Sequence, residues 1–275
     1  MKVVTLLENT ALEEGVTAAH GLSNYIETDK HKILFDMGPD YHVVLNAEKL
    51  GVDLSKVDIA VLSHGHYDHG GGLMAFLALN QAAPVFVREE AFGDYYSLAG
   101  EQPHYIGLNT ELKEYTERLV WTEEECVIDD QLTLFAGVHD EMDALKASAK
   151  LKEKTESGEW VPDGFGHEQD LLVQEGDKAV LFAGCAHMGI VNIVRAAKEK
   201  LGRLPDAVFG GFHLFQLDPE DPASAELVDS IGRQLLEGDT VYYTGHCTGE
   251  FAYARLKAIL GDRLQPMQGG SIEIL

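Results

Sequence analysis

Two hydrophobic patterns alternate along this chain and predict a layered arrangement of strands and helices. Short apolar runs bounded by polar or glycine residues, as at 57–62, predict buried strands. Segments with apolar residues every three or four positions, as at 41–50 and 190–201, predict helices that pack through one face. Because strands in both halves are followed by helices, the pattern predicts an α/β (α+β) protein, a four-layer αββα sandwich of two packed sheets with helices outside.

The hydrophobic pattern loosens in two places, which we interpret as inserts into a single domain spanning 1–275. Residues at about 89–118 include several aromatic side chains without clear periodicity, as expected for a lid or binding loop. Residues at about 138–166 carry mixed charges and predict a partly helical, exposed segment. A chain of 275 residues is long enough to bury a large core in one domain.

Composition restricts the classes of partner and the compartment. The formal net charge of −25 disfavours binding to nucleic acid or to anionic membranes, because both are polyanionic. Three cysteines form a sparse, odd-numbered set, which argues against a disulfide framework and favours a reducing compartment. Glu8 comes too early for a secretory signal, and no apolar run approaches membrane-spanning length. The expected location is therefore cytoplasmic.

The loop that follows the predicted strand at 57–62 concentrates metal-binding side chains. His64, His66, Asp68 and His69 fall within six residues, and glycines lie among and after them. Imidazole nitrogens and carboxylate oxygens are the usual ligands of zinc, and also of iron and manganese. The loop therefore predicts a site for one or two divalent metal ions, with zinc preferred and iron or manganese as alternatives.

The spacing His64-x-His66-x-Asp68-His69 after a strand resembles the metal motif of the metallo-β-lactamase superfamily, and the resemblance extends over nearly the whole chain. It implies the metallo-β-lactamase fold and a binuclear site. In that family the first two histidines bind one metal, and the Asp-His pair binds a second. Asp36 stands where the family keeps an aspartate that orients a ligand histidine.

Further ligands are expected at later strand ends, and two alignments with the family motifs are open. In the first, His167 is the third-motif ligand and Cys185, or alternatively His187 two residues on, occupies the position where a carboxylate is usual; a hairpin before Cys185 and a helix after it favour this alignment. In the second, His187 is the third-motif ligand and His213 the fourth. His246 fits the last motif in both. The predicted metal ligands are His64, His66, Asp68, His69, His167, Cys185, His187 and His246.

The resemblance implies a hydrolase in which a metal-activated water attacks a phosphoester or a related small molecule. Asp68 is the residue expected to accept the proton of the nucleophile. His213 lies where related phosphodiesterases keep a histidine that contacts substrate, and its expected role is an acid or a phosphate contact. The expected partner is therefore a small, phosphorylated molecule.

Other segments, among them Gly184-Cys185-Ala186-His187 and Gly210-Gly211-Phe212-His213, resemble one branch of the superfamily. Its members are described as metal-dependent hydrolases, and an archaeal relative is assigned to joining a dihydropterin to a ribofuranosylaminobenzene phosphate. A transferase that releases pyrophosphate from a dihydropterin diphosphate is therefore a second hypothesis. A non-catalytic metal-binding sensor is a third, and it predicts metal binding without turnover.

Overall fold

Eighteen strands and six α-helices make up the regular structure of the residues described in the computed structural model, namely 1–115, 117–139 and 146–275. The strands are β1 (Lys2–Leu7), β2 (Ser23–Glu27), β3 (Lys32–Phe35), β4 (Ile59–Val61), β5 (Val85–Arg88), β6 (Tyr95–Ser97), β7 (His104–Tyr105), β8 (Leu119–Thr122), β9 (Glu125–Val127), β10 (Leu132–Ala136), β11 (Leu151–Lys154), β12 (Trp160–Pro162), β13 (Gln169–Glu175), β14 (Lys178–Phe182), β15 (Ala207–Phe209), β16 (Val241–Thr244), β17 (Leu264–Pro266) and β18 (Ile272–Ile274). The helices are α1 (His42–Lys49), α2 (Tyr67–Gly70), α3 (Leu73–Leu79), α4 (Ile190–Leu201), α5 (Pro222–Leu235) and α6 (Glu250–Leu260).

Two seven-stranded sheets form the centre of the fold. The first has the order β18-β1-β2-β3-β4-β5-β8 and the second β17-β16-β15-β14-β13-β10-β9. Antiparallel pairing at one side of each sheet gives way to parallel pairing at the other, over β3-β4-β5-β8 and over β14-β15-β16-β17. The carboxyl ends of the parallel strands in each sheet share one edge, where loops can place side chains around a common site.

Buried apolar side chains define the four layers. Between the two sheets, residues such as Phe35, Val61, Phe182 and Phe209 form one hydrophobic core. A second core lies between the first sheet and helices α1 and α3, and a third between the second sheet and helices α4, α5 and α6. The predicted αββα sandwich is therefore confirmed. No helix in the described part of the chain combines the length and apolarity needed to cross a bilayer.

The two inserts pair with each other, which the sequence pattern did not indicate. Strands β6 and β7 from the first insert and β11 and β12 from the second form a separate sheet in the order β12-β11-β6-β7. Tyr95, Ile106, Leu151 and Phe165 form its small hydrophobic cluster. The prediction of partly helical structure in the second insert is wrong for β11 and β12, which are strands. Its residues 140–145, and residue 116 of the first insert, lie outside the described residues.

Candidate metal centre

The predicted metal loop begins directly after β4 and runs into α2. His64, His66, Asp68 and His69 are all at least nine-tenths buried. Gly71 and Gly72 have ordinary helical φ angles of −63° and −79°, which other residues also adopt. Glycine is required at these positions by close packing instead. A Cβ on Gly72 would overlap the backbone carbonyl of Met37.

Asp36, at the carboxyl end of β3, fixes one histidine of the loop. Its Oδ2 accepts a hydrogen bond from His69 Nδ1 at 2.6 Å, and the backbone N–H and hydroxyl of Ser63 donate to the same carboxylate at 2.7 and 2.8 Å. Because the proton of His69 is held on Nδ1, its Nε2 presents a lone pair to the site. The expected contact between Asp36 and a histidine of the loop is therefore present.

The second sheet brings its own strand ends to the same place. Cys185 and His187 follow β14, His213 follows β15, and His246 follows β16. His246 Nε2 lies 3.2 Å from His69 Nε2, and Cys185 Sγ lies 3.1 Å from the same nitrogen. The structure thus brings all nine predicted site residues to one edge of the sandwich; they are His64, His66, Asp68, His69, His167, Cys185, His187, His213 and His246.

The potential ligand atoms of the described residues form four groups whose members lie within 4.8 Å of one another, and three of the groups share Cys185. These groups are Asp68–His69–Cys185–His246, His64–Cys185–His187, Cys185–His213–Cys247 and His66–Asp163–His167. Because the group that contains His66 shares no residue with the other three, the described residues offer more than one position for a cation.

Unpartnered nitrogens show that this set of residues fits a divalent metal. Nε2 of His64, His66 and His187, and both ring nitrogens of His213, are buried without a hydrogen-bond partner among the described residues. A buried polar atom without a partner costs about 1–3 kcal/mol. Several such atoms on facing loops are explained by cation binding, since imidazole nitrogens are the preferred ligands of zinc and related ions.

His167 differs from these histidines because both of its ring nitrogens are used. The backbone N–H of Gly65 donates to His167 Nδ1 at 3.0 Å, so the ring proton lies on Nε2. That Nε2 lies 3.2 Å from Asp163 Oδ2 and donates to it. A ring with this tautomer offers no free lone pair, whereas His187 does. The hydrogen bonds therefore favour His187 over His167 as the third-motif histidine.

His246 is oriented by a residue near the amino terminus. Its Nδ1 lies 2.8 Å from Asn9 Oδ1, which can only accept, so the proton lies on Nδ1 and Nε2 faces the site. His246 Nε2 lies 3.3 Å from Asp68 Oδ2, and His20 Nε2 lies 3.3 Å from the same oxygen. Asp68 is therefore surrounded by imidazoles.

Burial and mutual repulsion keep most of the imidazoles neutral in the metal-free chain. Burial, followed by neighbouring histidines, holds the pKa of His64 and of His187 well below the usual range. Burial also lowers the pKa of His213 to about 3 and that of His246 to about 4. Against its own burial, Asp68 has a pKa held well below its usual range, chiefly by His69. Neutral imidazoles and an anionic carboxylate are the forms that bind metal, and His69, whose pKa is raised by Asp36 and Asp68 against its burial, gives up a proton on binding.

Cys185 is a buried thiol at the centre of the site. Burial raises its pKa well above the usual range, and the neighbouring Cys247 adds to the effect. In the metal-free chain it is therefore protonated, and only a nearby cation would favour the thiolate.

Unusual backbone conformations are concentrated at these loops. The non-glycine residues with positive φ in the described part of the chain are Asp36, Phe165, Ala186, His213 and His246. Each lies in or beside a loop that supplies a site residue. Such conformations cost about 1–3 kcal/mol each and persist where surrounding contacts enforce them.

The segment Glu168–Gln169, just after His167, bonds both halves of the site together. Glu168 accepts the backbone N–H groups of His187 and Met188 at 2.7 and 3.0 Å. Gln169 Nε2 donates to the carbonyl of Leu62 at 2.8 Å, next to the metal loop. Burial raises the pKa of Glu168 to about 7. The segment therefore sets the position of the His187 loop relative to the His64 loop.

Replacing Glu168 by glutamine is expected to destabilise the fold by about 1–3 kcal/mol, because an amide can accept only through one oxygen and leaves a buried backbone N–H unpaired. Thermal unfolding of the metal-free protein measures this loss. Asp53→Asn is the control, since Asp53 also accepts a backbone N–H, that of Ser55, but at an exposed position. An equal change in the two variants would contradict the bonding role of Glu168.

A cavity of about 180 Å³ opens onto the site. The inserts form part of its wall through Ser97, His104, Ile106 and Leu151. Its other described lining residues are His20, His66, Tyr67, Asp68, Cys185, His187, His213, Phe215, Gln216 and Cys247. No lysine or arginine is among these lining residues, so an anionic ligand would depend on bound cations and on imidazole N–H groups for charge complementarity.

Sequence reasoning missed Asp163, Glu168 and the pairing of the inserts. Asp163 lies four residues before His167 in a glycine-rich stretch, and that spacing is the only local signal for it. Glu168 is adjacent to a predicted ligand, but nothing in its neighbours indicates which backbone groups it binds.

Comparison with known proteins gives a consistent result. The family model described as "Metallo-beta-lactamase superfamily" matches residues 16–246. The 7,8-dihydropterin-6-methyl-4-(beta-D-ribofuranosyl)-aminobenzene-5'-phosphate synthase of Methanocaldococcus jannaschii is 30% identical over 267 residues, covering 90% of this chain and 88% of that protein. An uncharacterized protein of the same organism is 32% identical over 259 residues, covering 92% and 93%.

Among solved structures, Tm1679, described as a metal-dependent hydrolase of the beta-lactamase superfamily, superposes with a TM-score of 0.80. It is 27% identical, and the match covers 100% of this chain and 99% of that one.

Proposed function

Since the chain belongs to the metallo-beta-lactamase superfamily, we propose that it is a metal-dependent hydrolase of a small phosphorylated molecule. The observation that supports this most directly is the set of buried, unpartnered imidazole nitrogens on facing loops. Zinc is the proposed metal because the donor set is rich in imidazole and includes a thiol. When bound, such a metal supplies Lewis acidity and lowers the pKa of a coordinated water to about 7.

The proposed ligands are His64, His66 and His187 on one side of the site, and Asp68, His69 and His246 on the other. Each group includes residues from loops of both sheets, so its members come together only when the two sheets pack. Cys185 lies between them, within 4.8 Å of the ligand atoms of His64 and His187 and also of the second group. We assign Cys185 as a thiolate ligand when metal is bound.

Asp68 and His213 act on the substrate in this proposal. Asp68 is anionic, lines the cavity, and is positioned to accept the proton of the attacking nucleophile. His213 lines the same cavity, and its ring nitrogens are buried without partners among the described residues. A neutral imidazole in this position can donate one hydrogen bond to a phosphoryl oxygen. Because the described lining residues include no lysine or arginine, this donor is important for binding the phosphate.

The experiment is a screen of phosphomonoesters and phosphodiesters with the protein reloaded with zinc, manganese or iron. Release of phosphate or of the alcohol, lost in Asp68→Asn and retained in Asp130→Asn, is the expected result. Asp130 is an exposed aspartate paired with Lys30 and serves as the control. Metal-loaded protein that cleaves no phosphoester would overturn the hydrolase proposal.

A second candidate is a transferase that uses a dihydropterin diphosphate, because a relative 30% identical over nine-tenths of this chain is named as a synthase of a dihydropterin compound. Tyr67, His104 and Phe215 on the cavity wall could contact a flat ring. Pyrophosphate release that requires both a dihydropterin diphosphate and an aminobenzene ribofuranosyl phosphate would favour the transferase. Pyrophosphate formation without the second compound would favour hydrolysis.

The proposal places the enzyme in the cytoplasm, with neither nucleic acid nor a membrane as its partner. All three cysteines, Cys126, Cys185 and Cys247, are free, which suits a reducing compartment. The net charge of −25 disfavours polyanionic surfaces.

A further inference from the structure

Asp163, contributed by the second insert, lies against the metal loop. Its side chain is at least nine-tenths buried. Oδ1 accepts the backbone N–H of Phe165 at 2.8 Å, which forms a local turn. Oδ2 lies 3.2 Å from His167 Nε2 and 3.7 Å from His66 Nε2. One carboxylate oxygen therefore faces two histidines, one of them in the predicted metal motif.

The two histidines relate to Asp163 in different ways. His167 donates to it, because the N–H of Gly65 occupies the other nitrogen of that ring. His66 Nε2 is buried without a hydrogen-bond partner, and 3.7 Å to Asp163 is too long for a hydrogen bond. An unpartnered imidazole nitrogen of His66 is thus held beside a buried carboxylate oxygen of Asp163, which accepts one hydrogen bond from His167 and keeps a second lone pair.

A cation resolves this arrangement. Metal bonds to imidazole nitrogen and carboxylate oxygen are about 2.0–2.2 Å long, so one ion can reach both atoms across their separation. A second carboxylate also improves the charge balance. Apart from Asp163, Asp68 is the only carboxylate in the groups of potential ligand atoms among the described residues. Two divalent ions would carry four positive charges, which one carboxylate balances poorly.

We propose that Asp163 is an additional metal-site carboxylate, which binds the same divalent cation as His66. His167 is then a positioning residue that holds the carboxylate toward the ion. This inference rests on the proposed function, since it requires a cation at the His64–His66 loop. It adds that the second insert completes the metal site.

A purely structural role for Asp163 would be to hold its turn and to bond a histidine. Asp129 has this role elsewhere in the protein. It accepts the backbone N–H groups of Gln131 and Leu132 at 2.8 and 2.9 Å, and it lies 2.6 Å from His31 Nε2. Asp129 neighbours His31 at the amino end of β3, opposite the edge that holds the site. It is therefore a matched control for Asp163.

The test compares Asp163→Asn with Asp129→Asn in the full chain, each stripped of metal and titrated with Co²⁺. Asparagine keeps an oxygen for the turn but removes the charge. We expect Asp163→Asn to bind Co²⁺ more than about 100-fold more weakly, beyond the loss typical of a residue that only orients a ligand, and to change the visible absorption of the bound ion, while Asp129→Asn matches the unsubstituted protein. Thermal unfolding of the metal-free variants measures the structural cost separately.

Unchanged affinity and absorption in Asp163→Asn would overturn the inference. Should that variant fail to fold, Asp163→Glu keeps the charge and displaces the carboxylate, so an absorption spectrum identical to that of the unsubstituted protein would overturn it equally. Failure of the unsubstituted protein to take up any divalent ion would instead overturn the proposed function. The two failures are therefore distinguishable.

Discussion

His187→Gln is expected to lose bound metal and to lower turnover by roughly 10³-fold, whereas His167→Gln is expected to retain metal. Loss of a ligand removes several kcal/mol of transition-state stabilisation, and each 1.36 kcal/mol corresponds to a tenfold change in rate. At position 187 glutamine cannot replace the free imidazole nitrogen. At position 167 its amide can still accept from Gly65 and donate to Asp163, as the histidine does.

Metal content by elemental analysis and turnover of the same phosphoester measure this prediction, with the same substitution at both positions. Equal loss of metal in the two variants would restore the first motif alignment, in which His167 is a ligand. A smaller effect of His167→Gln, within about 100-fold, agrees with its role in positioning Asp163.

Removal of metal by a chelator is expected to abolish turnover and to lower thermal stability, both restored by adding divalent ions. A ligand that binds only the folded state stabilises it by about 2.7 kcal/mol at 100 times its dissociation constant. Rings such as those of His64 and His187, whose Nε2 atoms lack partners without metal, are the structural source of the loss. A chelated protein with unchanged melting temperature would contradict this prediction.

The metal-free protein should also lose stability as the pH falls. The folded-state pKa values of His64, His187, His213 and His246 are all lowered from 6.5. Below pH 6.5 the unfolded chain binds protons at these rings that the folded chain does not, so stability decreases on acidification by up to about 1.4 kcal/mol per pH unit for each histidine. His69, whose pKa is raised by Asp36 and Asp68 against its burial, acts in the opposite direction. Thermal melts of chelated protein from roughly pH 7.5 down to roughly pH 5.5 measure how stability depends on pH. A flat profile would contradict the prediction.

Much of the fold followed from local pattern. Helix α4 has the predicted bounds 190–201, and α1 begins and ends within one residue of the predicted segment at 41–50. These elements are amphipathic or uniformly apolar over their whole length, so their period alone indicates their type and position. The inserts have no such period, because their strands contact one another and only a small cluster, and their pairing depends on residues about fifty positions apart in the chain.

The sequence by itself determined that histidines and an aspartate follow a buried strand, and that further histidines and a cysteine follow later strands. Parallel strand ends share one edge of a sheet, so this order already implied a common site. Only the tertiary structure decided which ring nitrogens are free. The N–H that occupies Nδ1 of His167 comes from Gly65, 102 positions away. His187, whose Nε2 has no hydrogen-bond partner among the described residues, follows a strand of the second sheet and contacts His64 from the first. The proposed ligand His187 and the positioning residue His167 are both histidines. They differ in hydrogen bonds that form only when distant segments of the chain pack together.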